Sequence, residues 1–110
     1  MAGKFEIKKA KNGQFYFNLK ASNGEIVLTS EQYKARASAR HGIDSVRFNS
    51  TFDGRFERKT TGSKKPYFVL KAGNGKTLGR SQMYSTTATM EKGIASVQAS
   101  AGSAPVEDLS

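Results

Sequence analysis

Few side chains in this 110-residue protein could carry acid–base or nucleophilic chemistry. The sequence contains one histidine, no cysteine and nine carboxylates, whereas such catalysis needs groups with matched pKa values held close together. His41 has Lys92 as its counterpart 51 positions further on, so its position does not require an imidazole. We expect His41 to be a solvent-exposed helix residue. Because no spacing resembles a metal site either, the sequence predicts a non-enzyme without a cofactor.

Two glutamates, Glu6 and Glu57, recur at matching positions, and each precedes a lysine, Lys8 or Lys59, by two residues. Residues two apart in a strand share one face of a sheet, so an ion pair on that face is the first interpretation. The alternative is a site in which the two carboxylates meet across a pseudo-twofold axis. The arrangement of the surrounding elements decides between these interpretations.

Those elements come in two copies with an offset of 51 residues. Without a gap, residues 3–50 match residues 54–101 at 18 of 48 positions, and LKASNG at 19–24 returns as LKAGNG at 70–75. A solenoid needs three or more repeats, so two copies favour a pseudo-twofold pair. We expect repeats at 3–51 and 54–102 within one intertwined domain of residues 1–110, with 103–110 as a C-terminal tail or short strand.

Each copy is predicted to place its strands first. Phe17 and Leu19, like Phe68 and Leu70, are two residues apart, as in a strand with one buried face. The Asn-Gly pair that follows in both copies is typical of a type I′ hairpin turn. Backbone geometry therefore explains the repeated Asn-Gly better than a phosphate-binding loop does, since no P-loop pattern accompanies it.

Each copy is predicted to end in a helix, at about residues 35–48 and about residues 87–99. One apolar stripe runs along each helix and is expected to face the sheet. The stripes consist of Ala39, Ile43 and Val46, and of Met90, Ile94 and Val97. Gly42 and Gly93 lie beside the stripes, where glycine disfavours a helix, so we expect a close approach between each helix and the sheet. Thr86 or Thr87 can cap the second helix, whereas the first has no such residue.

The pattern Y-F-x-L-K-A-x-N-G, S-x-x-Y and G-I-x-S-V occurs in both copies and resembles the YegP-like family of small bacterial proteins in its duplicated form. The resemblance covers almost the whole chain. It implies an α+β fold, in which two tandem β-β-β-α(-β) repeats form a single mainly antiparallel sheet. It further implies that both helices lie on one face and that the C-terminal strands are exchanged between the repeats. It implies no activity.

The charge balance favours an anionic partner. Eighteen lysines and arginines against nine acidic residues give a net charge of +9, which attracts nucleic acid or acidic proteins but also improves solubility. We expect a non-catalytic interaction module or a stress-related structural protein. The alternative is single-stranded nucleic-acid binding on the open face of the sheet, where tyrosines could stack on bases and lysines could neutralise phosphates. The candidate residues on that face are Tyr16, Lys20, Tyr67 and Lys71.

A second candidate surface lies on the first helix. Arg36, Arg40 and Arg47 are there, and the matching positions of the second helix carry no basic residue. These arginines are expected to contact an acidic partner on one side of the molecule only.

The sequence also predicts where the protein works. It has no cysteine, no apolar signal segment near its start and no run of roughly 18 apolar residues. We therefore expect a cytoplasmic protein that does not enter a membrane. Because the duplication supplies within one chain the symmetry that a dimer would provide, a monomer is expected.

Overall fold

A computed structural model describes residues 3–110 and contains seven strands, two α-helices and one short 3-10 helix. The elements of the first repeat are β1 (Lys4–Lys9), β2 (Phe15–Lys20), β3 (Ile26–Ser30) and α1 (Arg36–Asn49). After the 3-10 helix Asp53–Arg55, the second repeat contains β4 (Phe56–Thr60), β5 (Pro66–Lys71), β6 (Thr77–Arg80), α2 (Thr87–Ser100) and β7 (Val106–Asp108). The α+β class and the strands-then-helix order of each repeat are confirmed.

All seven strands belong to one sheet, in the order β4-β5-β6-β3-β2-β1-β7. The two repeats join where β3 meets β6, and the register pairs Thr29 with Arg80 and Ser30 with Gly79. A Cβ atom on Gly79 would lie 2.8 Å from the carbonyl oxygen of Thr29. A residue without a side chain is therefore needed for the central strands to come this close.

The last strand crosses from the second repeat to the first. β7 is parallel to β1, with Phe5 opposite Val106, whereas the other strand pairs are antiparallel. The Phe5 N–H donates to the Pro105 carbonyl at 2.8 Å, and the Leu109 N–H donates to the Ile7 carbonyl at 2.8 Å. The strand exchange is thus present once: between α1 and β4 the chain forms only the 3-10 helix, and no strand within residues 3–110 pairs with the outer edge of β4.

Both helices cover the same face of the sheet, and the core lies between them and the strands. The alternation predicted for the strands is confirmed, because Phe17, Leu19, Phe68 and Leu70 are fully buried. The two helical stripes are buried as well. Neither helix of the described residues is long and apolar enough to cross a membrane.

The helix boundaries agree with the sequence to within one residue. The Thr86 hydroxyl accepts a hydrogen bond from the Thr89 N–H at 3.1 Å, as expected for a capped α2. α1 follows Ala35 and has no side-chain cap, also as expected.

The type I′ prediction for the Asn-Gly turns is wrong. A type I′ turn needs positive φ at both central residues, but only Gly24 (φ 86°) and its counterpart Gly75 (φ 87°) have it. The Ala21 carbonyl accepts from the Gly24 N–H at 2.9 Å, and the Ala21 N–H donates to the Glu25 carbonyl at 2.8 Å. These bonds define a three-residue loop in which the Asn23 side chain accepts from the Glu25 N–H at 3.0 Å. The repeated Asn-Gly retains its structural explanation.

The close approach predicted at the helical glycines is made by a tyrosine. Tyr33 stacks on Phe17, with ring centroids 6.4 Å apart, and a Cβ atom on Gly42 would lie 2.5 Å from the Tyr33 hydroxyl oxygen. Gly93 has the same relation to Tyr84. Each glycine therefore leaves room for a tyrosine hydroxyl against the helix.

We expect Gly42→Ala to destabilise the protein by about 1–3 kcal/mol, because the added methyl displaces a packed ring. Tyr33→Phe in the Gly42→Ala background should recover part of this loss, since it removes the hydroxyl that the methyl meets. Urea unfolding of the wild type, both single variants and the double variant measures the coupling.

Gly102→Ala is the matched control for this cycle, because a Cβ atom there meets nothing within 4 Å. A Gly42→Ala variant as stable as the Gly102→Ala control would contradict the packing explanation.

Candidate functional site

The face of the sheet opposite the helices, here called the open face, carries the four strand residues predicted as a binding surface. These residues alternate along their strands with the buried phenylalanines and leucines, so their side chains point away from the core. They are Tyr16 and Lys20 of β2, and Tyr67 and Lys71 of β5. All four are partly exposed. The structure therefore places them on one uncovered face.

The two tyrosines of the open face each lie opposite a lysine, but they are far apart. Tyr16 is opposite Lys8 of β1, and Tyr67 is opposite Lys59 of β4. β3 and β6 separate the tyrosine-bearing strands, a distance of roughly 14 Å across three strand spacings. The exposed Arg80 lies between them, paired with Thr29 of β3 on one side. The open face thus has two tyrosine–lysine pairs with a cation between them.

Lys20 and Lys71 are held by the recurring glutamates. Lys20 lies 3.1 Å and Lys4 3.3 Å from the carboxylate of Glu6, which is buried. Lys71 and Lys59 each lie 2.9 Å from the carboxylate of Glu57. These lysines are therefore engaged within the chain before any partner approaches.

The ion pairs favour the charged form of both glutamates. Lys71 and then Lys59 lower the pKa of Glu57 to about 2. Lys20 lowers the pKa of Glu6, although burial of the carboxylate opposes this change. The alternative of a shared carboxylate site is wrong, because four strands separate β1 from β4.

The three arginines of α1 contact the C-terminal segment of the same chain. Arg36 Nε lies 3.1 Å and Arg40 Nη2 lies 3.6 Å from the Asp108 carboxylate. Arg47 donates to the Ala104 carbonyl at 2.6 Å and to the Ala101 carbonyl at 3.2 Å. We call this set of contacts the C-terminal clamp. An acidic partner at these arginines would compete with residues 101–110.

The clamp explains why only the first helix carries the three arginines. β7 lies beside β1, and the guanidinium of Arg47 on α1 is 5.5 Å from the centre of the Phe5 ring of β1. The edge of β4 has no such strand among the described residues. The acidic pair Glu107-Asp108 is the sequence signal for a held C-terminus: Asp108 pairs with two arginines of the clamp, and Glu107 lies 2.9 Å from Lys4 of β1.

Two clefts on the helix side were not foreseen from the sequence. Each lies between the helix of one repeat and the β-hairpin of the other, and their volumes are about 400 and about 430 Å³. The first, the Tyr33 cleft, is lined by nine residues, and all nine have their counterparts, 51 positions away, in the second, the Tyr84 cleft. Five of the nine pairs have the same residue type. In the Tyr33 cleft these five are Tyr33, Gly42, Ser45, Ala72 and Asn74.

Neither cleft has an arrangement typical of acid–base catalysis. Burial raises the pKa of the hydroxyls of Tyr33 and Tyr84, so both tyrosines are neutral at pH 7. Within residues 3–110, no group of three or more His, Cys, Asp or Glu side chains is placed to hold a metal ion. The clefts offer hydrogen-bonding groups and charge.

Comparison with known proteins assigns the chain to a family. The model of the domain of unknown function DUF1508 matches residues 10–57 and again residues 63–108. The chain belongs to the DUF1508 family. The two matched segments agree with the duplication seen in the sequence, and DUF1508 thus describes both halves of the seven-stranded sheet.

Full-length relatives support the DUF1508 assignment. The UPF0339 protein PA0329 of Pseudomonas aeruginosa is 54% identical over 110 residues, which are 100% of both chains. The solution NMR structure of YegP from E. coli, described as a protein of unknown function, is similar with a TM-score of 0.94 and 51% identity over 99% of this chain and 94% of that chain. The NMR structure of UPF0339 protein SO3888 from Shewanella oneidensis has a TM-score of 0.93 at 45% identity, over 99% and 92% of the two chains. The YegP-like resemblance is confirmed.

We expect Arg47→Gln to loosen the C-terminal clamp, because it removes two charge-assisted hydrogen bonds to carbonyls, worth about 1–3 kcal/mol each. Arg36→Gln should cost less, since its ion pair is exposed. Amide hydrogen exchange at Leu109, whose N–H is bonded to Ile7, measures the opening of β7. Unchanged exchange at Leu109 in Arg47→Gln would show that the clamp does not hold the strand.

Proposed function

We propose that this protein is a non-catalytic interaction module that binds an anionic partner on the open face of its sheet. The observation that carries the proposal is the pair of matching tyrosine–lysine sites, Tyr16 with Lys8 and Tyr67 with Lys59, on one uncovered surface with Arg80 between them. Partly exposed aromatic side chains next to cationic ones on an uncovered sheet face favour association with an extended negative partner. The proposal takes the protein to be a cytoplasmic monomer, as its sequence predicts.

The chemistry of the open face supports binding rather than catalysis. Its recurring carboxylates, Glu6 and Glu57, are ion-paired, and lysines lower the pKa of both. A general acid at neutral pH needs a pKa near 7, so these groups do not serve as proton donors. His41 is an exposed residue of α1, on the other side of the sheet.

Single-stranded nucleic acid is the partner that the tyrosines favour. Lysines and Arg80 attract any polyanion, but an exposed tyrosine ring adds affinity mainly for a base that can stack on it, by about 1–3 kcal/mol per base. An acidic protein would depend on the cations and little on the rings. The tyrosines therefore distinguish the two classes of partner.

The test compares a fluorescent single-stranded oligonucleotide with a fluorescent polyglutamate peptide, each titrated at two salt concentrations. We expect the oligonucleotide to bind more weakly at the higher salt concentration. Tyr16→Ala together with Tyr67→Ala should weaken this binding by about 100-fold, which corresponds to the loss of two stacking contacts. If the peptide binds and its binding weakens at the higher salt concentration, while the oligonucleotide does not bind, the partner is an acidic protein instead.

Two variants that each remove one positive charge test whether binding depends on the open face or only on the net charge. Arg80→Gln removes a cation from the open face, and Lys34→Gln removes one from the exposed segment between β3 and α1. Only Arg80→Gln should weaken binding. The arginines of α1 are unsuitable for this purpose because they hold the C-terminal strand. If neither probe binds at low salt, the proposal fails and a structural role remains.

A further inference from the structure

The Tyr33 cleft lies outside the open face and has two walls from different repeats. One wall is a stripe of α1, where Ser38, Gly42 and Ser45 are spaced as residues on one helical face. The other wall is the β5–β6 hairpin of the second repeat, which contributes Ala72 and Asn74. The cleft therefore exists only when both repeats are assembled.

Several polar groups of the Tyr33 cleft are free to bind a ligand. Among residues 3–110, no hydrogen bond involves the side-chain hydroxyls of Tyr33, Ser38 or Ser45. The Asn74 side-chain carbonyl accepts from the Lys76 N–H at 3.0 Å, which leaves the Asn74 amide group as a donor. Three hydroxyls and one amide thus border a space of about 400 Å³.

The charges of the two clefts differ, although five of the nine matching pairs of lining residues are identical. His41 and Lys76 line the Tyr33 cleft, and no carboxylate does. In the Tyr84 cleft the equivalent residues are Lys92 and Glu25. The first cleft therefore has only basic ionisable residues beside its hydroxyls, whereas the second combines one cation with one anion.

We propose that the Tyr33 cleft binds a small anion that also carries hydroxyl groups, of the sugar phosphate class. Lys76 pairs with the phosphate, and the serine and tyrosine hydroxyls and the Asn74 amide bind the hydroxyls of the sugar. The Ala72 methyl and the Leu78 side chain give the apolar contact that a sugar ring accepts. The volume is near the lower end of the range for small-molecule sites, which suits a ligand of one sugar unit. The Tyr84 cleft attracts such an anion less, because Glu25 offsets the charge of Lys92 there.

The experiment titrates the full chain with glucose 6-phosphate and follows amide chemical shifts, with glucose and inorganic phosphate as separate probes. We expect shifts at Gly42 and Ser45 and none at Gly93 and Ser96. Glucose 6-phosphate should bind about 10-fold or more tightly than either separate probe, because only it uses both kinds of contact. One molecule should bind per chain.

Exchanging the charge at the position where one cleft has Lys76 and the other has Glu25 provides the matched pair of variants. Lys76→Glu should reduce binding at the Tyr33 cleft by about 10-fold or more. Glu25→Lys should add a second site, visible as new shifts at Gly93 and Ser96 and a stoichiometry of two. Lys76 and Glu25 are exposed loop residues, so both variants should keep the wild-type shifts elsewhere.

Three results would overturn the proposal. The first is the absence of shifts at Gly42 and Ser45, and the second is binding to Lys76→Glu as tight as to the wild type. The third is equal affinity for glucose 6-phosphate and one of the separate probes, which would exclude a ligand that needs both phosphate and hydroxyls. The open-face variants Tyr16→Ala and Tyr67→Ala should leave this binding unchanged, so the two proposals fail independently.

Discussion

The short pairing between β3 and β6 is the interaction on which the rest of the molecule depends. It joins two three-stranded units into one sheet through Thr29, Ser30, Gly79 and Arg80, and it needs a glycine where the central backbones approach. Both helices then pack across this junction: α1 contacts β5 and β6 of the other repeat, and α2 contacts β3. The hydrophobic core is therefore shared between the repeats, and neither half encloses it alone.

The shared sheet also determines where binding surfaces arise. Because the helices occupy one face, the other presents the tyrosines and lysines of both repeats together. Because each helix lies next to the hairpin of the other repeat, the same arrangement creates two clefts related by the pseudo-twofold axis. β7 breaks the symmetry, since it binds only beside β1, and the arginines of α1 hold it there. The molecule thus has one open face common to both repeats and two clefts that differ in charge.

Local spacing in the sequence was sufficient to predict the elements and the open face. The phenylalanines and leucines spaced two residues apart predict the strands, and the apolar stripes predict both helices to within one residue. Both predictions succeed because an element with one buried face repeats its apolar residues at a characteristic spacing. The same alternation assigned Tyr16 and Tyr67 to the uncovered side. The hairpin type was not predictable, because the backbone angles of Asn23 depend on loop closure as well as on residue type.

Features that depend on distant contacts could not be read from the sequence. Arg47 was recognised as a cation without a counterpart, but its partners are carbonyls 54 and 57 residues away. The lining of the Tyr33 cleft combines a helix from one repeat with a hairpin from the other, and the two segments are more than 25 residues apart in the chain. The recurring Tyr, Gly, Ser and Asn were visible, but their convergence required the packing of the assembled repeats.

The central claim, that neither repeat folds without the other, is tested most directly by separating them. Residues 1–51 and residues 52–110 are produced as two polypeptides, and the amide NMR spectrum of each is recorded alone and after mixing in equal amounts. Each half is too small to bury a sufficient core by itself. The account predicts that each half alone is unfolded or self-associated and that mixing restores the dispersed spectrum of the intact chain. A monomeric, well-dispersed spectrum from residues 1–51 alone would contradict it.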